Sequence, residues 1–336
     1  MKIWITGIAG FLGSHLAEQL LKEGHDVSGN DSLVCGDKSN APMDIAFYEA
    51  DCCDYKRMTE LLNGFKPDVL IHCACTAHEG FSPYSPHTIT SSTYGGSIST
   101  FSAAIAAGVK RIVFMSTMAR YGKQEPPFTE ETPASPCDPY GIAKVAAEDT
   151  LKNLCDLHGV KWSILCPHNI IGTRQKYDDP YRNVVSIFMN RMLQGKPAIV
   201  YGDGEQTRCF SPIADVLPSI IDAVHGKIDG EIVNIGPDNS SNTMTINELA
   251  RRISNFTGYN GTPEYHPERG CDAKHAHCSS DKARKLLGFA ATHSVDECFK
   301  EMVDDIKRKG AKPFDYFMEL EIDSPKAPRT WKERLL

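Results

Sequence analysis

Tyr140 and Lys144 stand four residues apart in the run Tyr140-Gly141-Ile142-Ala143-Lys144, a spacing that puts both side chains on one face of a helix. An ammonium beside a phenol stabilises the phenolate, so a tyrosine with an unperturbed pKa of about 10 can act as a base near neutrality. Ser116 and Thr117, which close the apolar run Arg111 to Met115, supply hydroxyls that can hold a substrate hydroxyl against that base. A second chemical pattern opens the chain, where Ile3 to Thr6 runs into Gly7-Ile8-Ala9-Gly10-Phe11-Leu12-Gly13. Gly7 permits a tight bend, Gly10 lets backbone approach a pyrophosphate, and Gly13 allows a helix to pack on the strand. The N–H groups near Phe11 and Leu12, with the partial positive charge of a helix start, favour phosphate. Asp31, at the tip of the next strand, can accept hydrogen bonds from a ribose and would repel a 2′-phosphate. No arginine adjoins it and Lys38 lies farther along the loop, so the expected cofactor is NAD rather than NADP. Asp51 and Cys52, after a third strand, are expected to face the adenine.

Positioning these groups needs alternating strands and helices. The periodicity predicts strands at Lys2 to Thr6, from Asp26, at Ile45 to Tyr48, Val69 to Cys73, Arg111 to Met115 and Lys161 to Cys166. Between them it predicts helices at Phe11 to Glu23, Tyr55 to Phe65 and Asp138 to His158, and a small-residue segment from Thr88 to Ala107. Such alternation implies a parallel sheet covered on both faces. The expected fold class is α/β: a Rossmann-type doubly wound parallel sheet with a smaller mixed α/β substrate-binding domain. Residues 1–166 form the NAD-binding domain, with a strand near 232–236 returning to its sheet. Residues 167–312 mainly bind substrate, and 313–336 are an extension with no clear period.

The sequence resembles the extended short-chain dehydrogenase/reductase family, in particular its nucleotide-sugar epimerases and dehydratases. The resemblance is carried by TGIAGFLGS (Thr6 to Ser14), IHCACTA (Ile71 to Ala77), STMARYG (Ser116 to Gly122), PYGIAK (Pro139 to Lys144), PHNIIGTRQ (Pro167 to Gln175), GDGEQTRCF (Gly202 to Phe210) and the stretch Glu268 to Phe289. It implies a tightly bound NAD that oxidises a sugar hydroxyl, usually at C4. Tyr140 would be the base, Lys144 its electrostatic partner and a ribose ligand, and Thr117 with Ser116 the hydroxyl contact. Asn169, Arg208 and Arg269 would hold the nucleotide diphosphate, which needs cations and fixed donors.

Departures from the family pattern narrow the reaction. Where the 4,6-dehydratases carry an Asp-Glu pair this chain has Met118-Ala119, and neither side chain moves a proton. Ala119 also stands where decarboxylating relatives place a glutamate. The expectation is therefore 4-epimerisation of a UDP-hexose or UDP-hexuronic acid through a transient 4-keto sugar. Arg120 could bind a sugar carboxylate or form an ion pair. His78 and Glu79 are expected on the sugar side of the pocket as spare proton carriers, which keeps a 5,6-eliminating dehydratase as the alternative and a non-catalytic NAD sensor as a third reading.

With 36 Lys+Arg against 43 Asp+Glu the formal charge is −7, so no broad basic surface drives binding to nucleic acid. No apolar run is long enough to span a bilayer. The twelve cysteines lie largely in strand-like apolar runs, where a free thiol packs as a small hydrophobe, and reduced thiols in a cytoplasm are expected. No metal is expected: Cys271, His275, His277 and Cys278 cluster without any CxxC knuckle. The resemblance also implies a homodimer through the small-residue helix near Tyr94 to Ala107 and the helix carrying Tyr140.

Overall fold

The apolar runs form strands β1 (Lys2–Thr6), β2 (Asp26–Asp31), β3 (Ala46–Glu49), β4 (Val69–His72), β5 (Arg111–Met115) and β6 (Lys161–Pro167). They are seen in a computed structural model that describes residues 1–238, 242–270 and 273–336. The strand Glu231–Ile235 returns beside β6, giving a seven-stranded sheet in the order Glu231–Ile235, β6, β5, β4, β1, β2, β3. Every neighbouring pair in it is parallel. Pleating sends alternate residues to opposite faces. Ile3, Ile5, Ile71, Val113 and Leu165 pack with Leu16 and Leu20 of α1 (Phe11–Lys22), whereas Trp4, Leu70, Phe114 and Ile164 pack with Met58 and Leu62 of α2 (Tyr55–Phe65) on the other side. Both faces are apolar because both are covered, as a parallel sheet requires.

The small-residue segment contains the helix expected near Tyr94 to Ala107, beginning at Gly96, with two further elements before it. It forms α3 (Pro86–Thr90), a wide π turn at Ser91–Gly95, and α4 (Gly96–Ala106). Hydroxyls here bond back to backbone carbonyls, Thr90 to Pro86 at 2.6 Å, Ser92 to Ile89 at 3.2 Å and Ser97 to Thr93 at 2.5 Å, and such back-bonding competes with the regular ladder. In α5 (Pro139–His158) the Asp138 carboxylate accepts from the Gly141 amide at 2.9 Å, Pro139 occupies the first turn, and Gly159 closes the helix at φ +69°, a start and stop that the residue types dictate.

Beyond β6 the elements are short. α6 (Val184–Leu193) and the helices Ile246–Thr257 and Val295–Lys309 enclose a separate core around Phe188, Leu249 and Phe299. α7 (Ile213–Val224) instead covers the main sheet beside α1. The aperiodic residues 313–336 are packed: Phe314, Met318, Trp331 and Leu336 share a cluster with Phe81, Tyr140 and Tyr181. Among the described residues no helix is long and apolar enough to cross a membrane.

One buried contact gives the fold a pH dependence. His72, at the end of β4, is fully buried between the hydroxyls of Thr6 (2.8 Å) and Ser97 (3.0 Å), and burial pulls its pKa down to about 3. The unfolded chain, with a histidine pKa of about 6.5, binds that proton more readily. The contribution is therefore complete above pH 6.5 and is lost as pH falls towards 3. Urea unfolding should show His72 accounting for about 3 kcal/mol of the loss between pH 6.5 and 4, and His72→Phe should flatten the slope over that interval.

Candidate active site

The turn after β1 is shaped by the absence of side chains. Gly7 sits at φ +69°, with room for a Cβ only 3.0 Å from the Ala74 amide nitrogen, and a Cβ on Gly13 would stand 2.2 Å from the Gly7 carbonyl oxygen. Gly10 caps α1 with no side-chain hydrogen bond, and no acidic residue lies in the first turn. The turn is tied to the end of β2 by Asp31, whose carboxylate accepts from the amides of Ala9 (3.0 Å) and Leu33 (2.8 Å). Burial pushes the Asp31 pKa up while these amides pull against it. Lys38 is turned onto the ring of Phe47, leaving Asp31 without a lysine partner.

A cleft of about 460 Å³ opens over the strand ends. Gly7, Gly10, Phe11, Leu12, Asp31, Asp51 and Cys52 line one part of it, and Ser116, Thr117, Tyr140 and Lys144 line another. A second cleft of about 230 Å³ contains Arg208 and Arg269. Ala77, Glu79, Asn169, Arg182 and Asn183 border both, so the clefts meet there. The structure thus gathers almost all the residues singled out in the sequence around two joined cavities.

Thr117 caps the single turn Met118–Tyr121 by accepting from the Ala119 amide at 3.1 Å, and it shares the cleft lining with Tyr140. Lys144, one helical turn on, donates to the Met115 carbonyl at 2.7 Å and lies 4.7 Å from the centre of the Phe114 ring. The expected lowering of the phenol by Lys144 is not what dominates. Burial pushes the Tyr140 pKa well above its usual value, Cys75 and Glu79 add to this, and Arg182 and Thr117 oppose it.

Three of the singled-out side chains are engaged by partners within the fold. Ser116 borders the first cleft, but its hydroxyl is engaged in donating to Glu148 of α5. Arg120 lies outside both clefts, its guanidinium buried against Glu148 at 3.1 Å and donating to the Tyr121 hydroxyl at 3.0 Å. It satisfies a buried carboxylate and so is not available to a sugar carboxylate. His78 is likewise off the cavity walls, fully buried with Nε2 2.7 Å from Asp179, while its neighbour Glu79 does line them. Asn169 holds its place by donating to the Cys209 carbonyl at 3.1 Å. Sequence reasoning missed Arg182, Asn183 and Gln206, which sit in stretches without a period, and Trp331 in the extension. The Cys271 and Asp272 end of the cysteine–histidine cluster lies outside the described residues. Among the described residues the one grouping of metal-type side chains is Glu23, His25 and His225, at the edge of α1 and away from the cleft.

A sequence profile described as the NAD dependent epimerase/dehydratase family matches residues 3–236. The chain belongs to that family. It is 31% identical to the UDP-glucose 4-epimerase of Mycolicibacterium smegmatis, over 92% of this chain and 99% of that one. It is 35% identical to the UDP-N-acetyl-alpha-D-glucosaminuronate decarboxylase of Bacillus cytotoxicus, over 75% and 79% of the two chains. The crystal structure of the UDP-glucose 4-epimerase of Thermotoga maritima with UDP-glucose superposes with a TM-score of 0.87 at 31% identity, covering 92% of this chain and 99% of that one.

NAD is the cofactor of this family, and the residues present fit it. The uncapped start of α1 offers its amides to a pyrophosphate, the glycine turn leaves the backbone bare, and Asp31 closes the ribose end without a neighbouring cation for a 2′-phosphate.

Two substitutions test this geometry. Gly13→Ala forces the turn apart, so it should destabilise the protein by about 1–3 kcal/mol and purify with little NAD, read from a thermal melt and the absorbance of acid-released nucleotide. Arg120→Met strands Glu148 without its partner and should cost about 3–5 kcal/mol in denaturant unfolding; a changed substrate KM with unaltered stability would instead place Arg120 in the binding site.

Proposed function

We propose that this protein is an NAD-dependent UDP-sugar 4-epimerase, acting on a UDP-hexose or UDP-hexuronic acid through a transient 4-keto sugar. The observation that carries the reading is that Tyr140, Lys144 and Thr117 line one cleft while the next two positions after Thr117 are the apolar Met118 and Ala119. Tyr140 removes the proton of the C4 hydroxyl and returns it after the sugar has turned. Thr117 holds that oxygen in line, and Lys144 supplies positive charge beneath the phenol. The glycine turn and Asp31 would hold NAD, which would supply the hydride acceptor and donor needed at C4. Asn169, Arg208 and Arg269, along the second cleft, hold the diphosphate and nucleoside. Glu79 and Arg182 border the join where the sugar sits, and Arg182 takes the carboxylate-binding part that was one of the two alternatives for Arg120. In this reading residues 1–166 with the strand Glu231–Ile235 serve NAD, and 167–312 mainly serve the nucleotide sugar.

A second reading, elimination across C5 and C6, is favoured by one observation: Glu79 lines both cavities and lies close enough to bear on the Tyr140 phenol. Incubation with UDP- and GDP-sugars in D₂O, followed by mass spectrometry and proton NMR, separates the two. Epimerisation leaves mass unchanged, inverts C4 and places no deuterium on carbon, whereas loss of water or deuterium at C5 means that Glu79 or Cys75 moves a proton. Tyr140→Phe should lower kcat by about 10²–10⁴ with NAD still bound.

The proposed setting is a reduced cytoplasm and a homodimer. Eleven described cysteines are free, and Tyr94, Ile142 and Leu157, on the π turn and α5, are large exposed apolar side chains. A dimer by light scattering that Ile142→Asp together with Leu157→Asp converts to a monomer is the expected result.

A further inference from the structure

We propose that residues 313–336 are a strap that builds the outer wall of the nucleotide-binding cleft, with Trp331 as its substrate-positioning residue. The inference deepens the reading above and rests on it, because it takes the second cleft to hold the nucleoside end of the substrate. Trp331 and Leu336 line that cleft together with Arg208 and Arg269, although some hundred and fifty residues separate Trp331 from the loop on which it rests.

The strap is fastened along its length. The Asp315 amide donates to the Asp178 carbonyl at 2.8 Å, the Tyr181 hydroxyl to the Met318 carbonyl at 2.8 Å, and the Tyr84 hydroxyl to the Lys326 carbonyl at 2.7 Å. Glu321 accepts from the amides of His87 (2.7 Å) and Thr88 (2.8 Å) at the start of α3. These bonds lead the chain round to the short helix Arg329–Lys332. There the Trp331 indole donates to the Pro180 carbonyl at 3.2 Å, and its ring meets Phe81 edge-on with centroids 5.3 Å apart. Trp331 is 4% exposed and borders the cleft.

The consequence for binding lies in Arg269. Its guanidinium carbon is 4.7 Å from the Tyr201 ring and 5.8 Å from the Trp331 ring, so two aromatic faces, one supplied by the strap, hold the cation in place. A planar cation fixed before the ligand arrives loses less freedom on binding a diphosphate than a mobile one.

The test is calorimetric titration of UDP into the full-length NAD-loaded protein, alongside KM and kcat on the UDP-sugar it turns over, for the wild type, Trp331→Ala and Trp331→Phe. Trp331→Ala should weaken UDP binding and raise KM by 10- to 100-fold, with a far smaller change in kcat and the same bound NAD. Trp331→Phe, which keeps an aromatic face against Arg269, should recover most of the affinity. Thermal melts of the three identify any general loss of folding, which would lower NAD content and kcat together and which Trp331→Phe would then not relieve selectively. Wild-type protein that binds UDP while Trp331→Ala binds it equally well overturns the strap and leaves the epimerase reading standing. Wild-type protein that binds neither UDP nor any UDP-sugar overturns both.

Discussion

The architecture depends on how closely three backbone segments approach one another at the end of β1. A Cβ on Gly13 would stand 2.2 Å from the Gly7 carbonyl oxygen and one on Gly29 2.1 Å from that of Ile5, distances at which no side chain fits. Without those methyl groups α1 and β2 close onto β1, and the Gly7 and Ile8 amides reach the Asn30 carbonyl at 2.8 and 3.3 Å. The loop after β2 is drawn in by the same contact, since the Asp37 amide donates to the Ala9 carbonyl at 3.0 Å. The strand order runs from β1 to β2 and β3 on one side and to β4 and β5 on the other, so the crevice opens where the winding reverses, as expected for open parallel sheets. The same crossing that packs the sheet thereby creates the place where a dinucleotide fits.

A second set of buried contacts fixes the other wall. Ser116 bonds Glu148, Glu148 pairs with Arg120, Arg120 donates to Tyr121, and the Tyr121 hydroxyl donates to Asn234 on the returning strand at 2.9 Å. An ion pair this deep contributes little net stability, because desolvation offsets much of its Coulomb energy. Its physical effect is positional. It joins the end of β5, the body of α5 and the strand Glu231–Ile235 behind the cavity, so that Thr117 and Tyr140 face each other from two rigid elements.

The sheet was legible because burial on both faces leaves a continuous apolar signature, and the turn because Gly7, Gly10 and Gly13 answer a steric demand that no other residue meets. The helix carrying Tyr140 was legible from its period. What the sequence could not disclose was direction and partnership. Arg120 follows Ser116 and Thr117 by only a few residues, yet its turn points it towards Glu148, 28 positions away. His78 adjoins Glu79, but a one-residue step around a single turn places one inside the wall and the other on it. The strap was illegible for a different reason: its residues pack through long-range hydrogen bonds and single aromatic rings, which leave no period to read.

The electrostatics of Tyr140 limit how the proposed base can work. Its surroundings, taken as the chain alone supplies them, favour the neutral phenol, because burial is the largest influence and Cys75 and Glu79 reinforce it. Lys144 is committed to the Met115 carbonyl and does not by itself reverse that balance. On the proposed reading, positive charge brought into the cleft would offset the burial that holds the phenol neutral. A base of this kind spends its resting state protonated, beside a threonine hydroxyl that orients it. The buried setting that raises the pKa is also what would strengthen each charge interaction once the cavity is occupied.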